Sequence, residues 1–225
     1  MAGIGDVDAV ALLGDPQRRA IYGLLQRSGA AMSRDQLADS LAIPRSSTAF
    51  QLAKLSAAGL VESEFRKLSG RSGPGSGRPS RLYRASREEV SASVPERHYG
   101  LAASLMAQAI EQSAAEGSAI NDALARVAFD AGARMGAAAA GIEEVLGNNG
   151  YSPEPDGAGG YRLPNCPFHR LARNHADVVC TLNGALLAGA LTGCLDDSHT
   201  VQPDGDLHYC CARITAAGTG AAADR

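Results

Sequence analysis

The chain has no Trp and only four Phe among 225 residues, while Gly alone accounts for 26. A core built without large aromatics must come from Leu, Ile, Val and Ala. Ala-rich helices pack closely and bury modest area per residue, so dimerisation is expected to supply part of the core. No run approaches 18 uninterrupted apolar residues, and no membrane span is expected. The opening MAGIGDVDAVALLGD carries acids and lacks the basic start of a secretory signal, so a cytoplasmic location is expected. Cysteine is missing from the first 165 positions. No C-x-x-C pair occurs anywhere, which argues against a zinc ribbon.

Positive charge is scarce overall, with a net charge of −3, but it is unevenly placed. Residues 1–87 hold 13 Lys+Arg against 7 Asp+Glu, a local charge of +6; the rest holds 8 against 17, a local charge of −9. A basic first part joined to an acidic second part suggests that only the first meets a polyanion.

The first part reads as helix, helix, helix, strand, basic loop, strand. Asp15-Pro16 is an N-cap followed by Pro at the first helical position, and Gly29 ends that helix. Ser33 caps the next helix, with Leu37, Ala38 and Leu41 as buried candidates. Ala42-Ile43-Pro44 makes the turn. A third helix follows to about Ala58, with Thr48, Leu52 and Leu55 on its inner face. Leu60 to Arg66 reads as a strand and Arg81 to Arg84 as its return, around a Gly/Ser/Pro-rich tip. That order is a winged helix-turn-helix. Arg45, Ser46, Ser47, Gln51 and Lys54 are the expected base and phosphate contacts of the recognition helix. Arg71, Arg78 and Arg81 are those of the wing. Phe50 is expected to pack under the wing, with a thymine methyl as the alternative contact.

The expected fold class is mainly α with small β (α+β). Four segments are expected: a winged helix-turn-helix at 1–87, a helical dimerisation region at 88–146, a cysteine-containing sensor domain at 147–214, and a disordered tail at 215–225. In the middle region Leu101, Leu105, Met106, Ala109 and Ile110 form one apolar stripe. Ile120, Leu124, Val127, Ala128, Ala131 and Met135 form another. A homodimer follows from the functional reading, because helix-turn-helix proteins commonly read two half-sites.

All five cysteines lie in the last third: Cys166, Cys180, Cys194, Cys210 and Cys211. Their crowding there points to a metal or cluster site, with buried apolar cysteine as the plain alternative. Cys166, at an expected helix start before Pro167, is placed for a thiolate. Cys180 lies in the first turn of the next helix. Cys194 stands 14 residues further on, about 21 Å away along a continuous helix, and is the weakest cysteine. Cys210 and Cys211 fall in an expected strand from Leu207 to Ile214, so one of the two should face the site and the other away. His169 and His208 are weaker candidate ligands. An enzyme with Cys166 as nucleophile and His169 or His175 as base lacks an orienting third group, and no enzyme is expected.

The segments LAIPRSSTAFQLAKLSAAGLVE (41–62), GRPSRLYR (77–84), LPNCPFHRLA (163–172), VVCTLNGALLAG (178–189) and YCCARI (209–214) together resemble the ArsR/DeoR-type winged-helix regulators, and within them the SufR-like iron–sulfur repressors. The resemblance implies a homodimeric repressor that binds double-stranded operator DNA and controls iron–sulfur cluster assembly or related stress genes. It also implies a [4Fe–4S] cluster on Cys166, Cys180 and one of Cys210 and Cys211. The alternative is a winged-helix regulator switched by zinc, thiol oxidation or a small effector.

Overall fold

The computed structural model describes residues 5–66, 79–87, 89–206 and 208–218. The chain forms two compact units, Met1–Ser93 and Val94–Arg225.

In the first unit, α1 (Asp6–Leu12) precedes α2 (Pro16–Ser28), whose N-cap Asp15 accepts from the backbone N–H groups of Gln17 and Arg18. Gly29 ends α2 at φ 61°, a left-handed conformation that costs a Cβ-bearing residue free energy. A two-residue strand, β1 (Met32–Ser33), leads into α3 (Arg34–Leu41). Ser33 and Gln36 there form a capping box, each side chain satisfying the other's backbone N–H. Helix α4 (Arg45–Ala57) falls where the recognition helix is expected, and β2 (Val61–Arg66) and β3 (Ser80–Ala85) fall where the wing strands are expected. The sheet is antiparallel in the order β1-β3-β2. Ile21, Leu25, Leu37, Leu52, Leu55 and Leu60 fill the core between helices and sheet. The expected helices and wing strands are all present within one or two residues; β1 was not expected.

The second unit contains α5 (Tyr99–Glu116), α6 (Ile120–Ala137), α7 (Ile142–Asn148), α8 (His169–Ala172) and α9 (Ala176–Gly193). Its sheet has the antiparallel order β4-β5-β7-β6, from β4 (Glu154–Pro155), β5 (Tyr161–Arg162), β6 (His199–Pro203) and β7 (Ala212–Ala216). One hydrophobic cluster runs from Ala102 through Leu124, Leu146 and Leu187 to Ile214. The expected division at 146/147 therefore does not separate two domains, because α9 packs its length against α6 and the two share a core.

Four glycines set that contact. A Cβ on Gly132 or Gly136 of α6 would stand 1.9 or 2.2 Å from the carbonyl oxygens of Leu186 or Ala190. A Cβ on Gly189 or Gly193 of α9 would stand 2.0 or 2.1 Å from those of Phe129 or Ala133. The register advances in the same direction on both helices, so they run parallel with their backbones in contact. Gly132 and Gly136, in the region expected to dimerise, serve this intrachain contact.

Among the described residues one helix, α9, has the length and mean hydropathy (1.3) of a membrane span. Its Leu182, Leu186, Leu187 and Ala190 are core residues of this unit. Two further expectations are corrected at the C-terminal end. Residues 208–211 form a turn, and the last strand begins at Ala212 and runs to Ala216, past the expected start of the tail. The turn is held by Asp206, whose carboxylate accepts from the His208 N–H at 3.0 Å and whose carbonyl accepts from the Tyr209 N–H at 3.0 Å. Asp204 N–H closes it onto the Cys211 carbonyl at 3.0 Å.

Candidate functional site

Helix α4 presents Arg45, Ser46, Phe50 and Lys54 to solvent, with Ser47 half-buried beside them. Arg45 is held by two carboxylates of α3, Asp35 at 3.1 Å and Asp39 at 3.6 Å. These fix the guanidinium near the N-terminus of α4 and offset part of its charge. Thr48 is buried, and its hydroxyl donates to the Pro44 carbonyl at 3.2 Å. Gln51, expected on the reading face, is buried, and its Oε1 has no hydrogen-bond partner. It stands three residues after Thr48 and four before Leu55, so helical geometry turns it into the core. Phe50 is 58% exposed rather than packed under the wing strands, and the Lys54 ammonium lies 4.6 Å from its ring centre. The outer face thus carries an aromatic ring capped by a cation.

On the wing, the exposed Arg81 donates to the Ser63 hydroxyl at 3.0 Å, with its guanidinium 5.3 Å from the Tyr83 ring centre. Arg84 pairs with Glu62 at 2.8 Å across the two strands. Arg71 and Arg78 lie outside the described residues.

The second unit gathers Cys166, Cys180, Cys210 and Cys211. Cys166, Cys180, Cys210 and Cys211 lie near enough for each thiol to shift the titration of its neighbours. The expectation that Cys210 and Cys211 point to opposite faces fails because neither lies in a strand. The turn before β7 lets both side chains reach the same group. All five cysteines are free thiols.

Three segments build this group. The Cys166 loop is tied down by Asn165, whose side-chain amide donates to the carbonyls of Gly150 and Glu96. Arg97 donates to the Asn165 side-chain oxygen and to the Cys166 carbonyl. Helix α9 contributes Cys180 and, one turn on, Asn183. Asn183 is fully buried; its Nδ2 donates to Cys210 Sγ at 3.2 Å and approaches Cys211 Sγ at 3.8 Å. The buried Tyr151 donates its phenolic O–H to Asn183 Oδ1. Cys210 N–H donates to the Leu163 carbonyl at 2.8 Å, fixing the third segment.

The four thiols are shifted in opposite directions. Hydrogen bonds, chiefly from Cys210 and also from Cys180 and Asn183, pull the Cys211 thiol down to about 6 against the opposing effect of burial. Cys166 is lowered chiefly by Cys210, with help from the Phe168 backbone N–H and the nearby Arg97 charge. The expected helix start at Cys166 is not the cause, since α8 begins at His169. Burial and the contact with Cys211 push the Cys180 thiol up to about 12. Contacts with Cys166 and Cys211, together with burial, push Cys210 up. Burial raises Tyr151 well above the ordinary phenol value, so it remains a donor.

The other candidates stand apart. Cys194, at the C-terminal end of α9, donates from Sγ toward the Gly136 carbonyl at 3.7 Å. His169 is exposed. His208 is exposed and paired with Asp206 at 3.2 Å. Among the described residues no group of three or more His, Cys, Asp or Glu has the spacing of a preformed metal site. The four thiols instead act on one another electrostatically in the series Cys166, Cys210, Cys211, Cys180. Asn183 and Tyr151, which bind this series, were not singled out from the sequence. The polar Asn183 one turn after Cys180 in an apolar helix is the signal that could have found the first.

Residues 13–64 match a family described as a helix-turn-helix domain. The match spans α2, α3 and α4 and ends in β2, so the first unit is a helix-turn-helix DNA-binding domain. No curated protein and no solved structure matches the chain.

Proposed function

We propose that this chain, a DNA-binding transcription regulator by its helix-turn-helix domain, is a cytoplasmic homodimeric repressor whose cysteine group holds an iron–sulfur cluster. The observation that carries this reading is the meeting of four thiols from three chain segments around one buried Asn183. Soft sulfur donors, of which Cys211 and Cys166 titrate below an ordinary thiol, are the donor set that iron–sulfur chemistry uses. The donors fit by chemistry and number. Cys166, Cys180, Cys210 and Cys211 would hold the cluster. A bound cluster would supply a group sensitive to oxidants and to iron supply.

The chain's own residues account for the rest. Arg97 and Asn165 hold the Cys166 loop, and α9 holds Cys180 rigidly against α6. The segment before β7 carries the remaining two thiols, with Cys210 tied to the Leu163 carbonyl. Ser46, Phe50 and Lys54 face the major groove, and Arg81 meets the backbone beside it. Operators with two half-sites would engage two copies of α4.

A second reading is favoured by the gathering of four thiols from three segments. Four thiolates around one tetrahedral zinc stand about 3.8 Å apart for a Zn–S distance of about 2.3 Å, so zinc asks for a smaller group than a four-iron cluster does.

The test is the absorption spectrum, with iron and sulfide analysis, of protein purified without oxygen. A broad brown band near roughly 400 nm, with matching iron and sulfide, supports the cluster. A colourless protein holding zinc overturns it in favour of the second reading.

A further inference from the structure

Asn183 lies in the middle of α9, a helix otherwise apolar enough to resemble a membrane span, and its side chain is fully buried. A buried amide destabilises a fold unless its donors and acceptor are paired. This amide caps no helix end and bonds no backbone group. Its partners are the Tyr151 hydroxyl on one side and the sulfurs of Cys210 and Cys211 on the other.

Tyr151 is itself fully buried. Its backbone is fixed by its N–H to the Leu146 carbonyl at 3.0 Å and by its carbonyl accepting from the Asn165 N–H at 3.4 Å. With Oδ1 accepting from the phenol, the amide turns its N–H groups toward sulfur. Asn183 also follows Cys180 by three residues, so the two share one side of α9.

We propose that Tyr151 and Asn183 form a fixed hydrogen-bond relay that positions the Cys210 and Cys211 sulfurs as ligands and tunes the redox behaviour of the group they hold. This rests on the iron–sulfur reading above. An N–H pointed at a ligating sulfur withdraws electron density from it and stabilises the reduced, more negative state, which raises the reduction potential. Asn183 acts through the ligands, as a positioning residue, and Tyr151 acts through Asn183.

The test compares full-length wild type, Asn183→Leu and Tyr151→Phe, each reconstituted anaerobically with iron and sulfide. Iron per chain, midpoint potential and the melting temperature of the metal-free protein are measured. The expected result is a more negative potential in both variants, with the larger shift in Asn183→Leu. Variants that load iron and keep the wild-type potential overturn the relay, even if their melting temperatures fall, because a merely structural role lowers stability without moving the potential. If Asn183→Leu fails to fold, Tyr151→Phe decides alone: a negative shift supports the relay and an unchanged potential overturns it. A wild type that takes up neither iron nor sulfide overturns the iron–sulfur reading itself, and the relay with it.

Discussion

Phe50 and Gln51 are neighbours on α4 and meet opposite environments, solvent for the aromatic ring and the core for the amide. Residue type suggests the reverse, since Gln is a base-reading side chain and Phe a core one. The spacing to Thr48 and Leu55 was the better guide, and it was legible in the sequence. We expect Gln51→Leu to stabilise the protein by about 1 kcal/mol, because it removes a buried oxygen without a partner. Operator affinity should be unchanged. Thermal unfolding and DNA titration check the pair of outcomes, and a tenfold loss of affinity would return Gln51 to the reading face. Conversely, Phe50→Ala should weaken operator binding severalfold with little loss of stability, because the ring is more than half exposed; competition binding against non-specific DNA measures it. Acid sensitivity is also set at this scale. Burial pushes the Asp196 carboxyl up, but hydrogen bonds from Ser198 and His199 outweigh it and hold it below its ordinary value of 3.8. A folded-state value below the unfolded one gives stability that is complete above the unfolded value and lost as pH falls through the folded one. Asp196→Asn should therefore flatten the acid limb of the melting-temperature profile, between about pH 5 and pH 2, relative to wild type.

At the scale of elements, α6 and α9 define the second unit, and their glycines decide how closely they approach. The sequence displayed the small residues and the helical period, but periodicity gives the face of a helix and not its partner. For that reason α6 could be read as a surface for a second copy of the chain. Gly132→Ala or Gly189→Ala places a methyl within 2.0 Å of a backbone carbonyl oxygen of the other helix. Backbone cannot yield as a flexible side chain does, so a loss of about 3 kcal/mol or more is expected, the upper end of overpacking costs. Gly184→Ala, in the same α9 but with nothing within 4 Å, should be neutral or stabilising by about 0.5–1 kcal/mol. Denaturant unfolding of the three variants checks the contrast, and equal effects would mean that the helices do not pack this tightly. Leu207, where a strand was expected to start, lies outside the described residues, and over 208–211 the strand fails for a different physical reason. Asp206 caps the backbone of a turn there, a side-chain interaction that alternation of residue types does not encode.

At the scale of the whole molecule, the division of charge marked the DNA-binding unit, and the order of caps, helices and wing strands was legible because each is a local feature. The cysteine group was half legible. Spacing along α9 separated Cys194 from Cys180, and the structure keeps them apart. The joint presence of Cys210 and Cys211 depends on a turn formed by tertiary packing, and Asn183 gains its meaning only once three distant segments meet. Under the proposed function, the state of this thiol group governs DNA binding by the first unit. The most direct measurement is titration of one operator with iron–sulfur-loaded protein and with the same protein after metal removal, at fixed salt. The account predicts that removal lowers operator affinity at least tenfold, and that Cys166→Ser/Cys180→Ser matches the metal-free protein. Equal affinity in all three samples would contradict it.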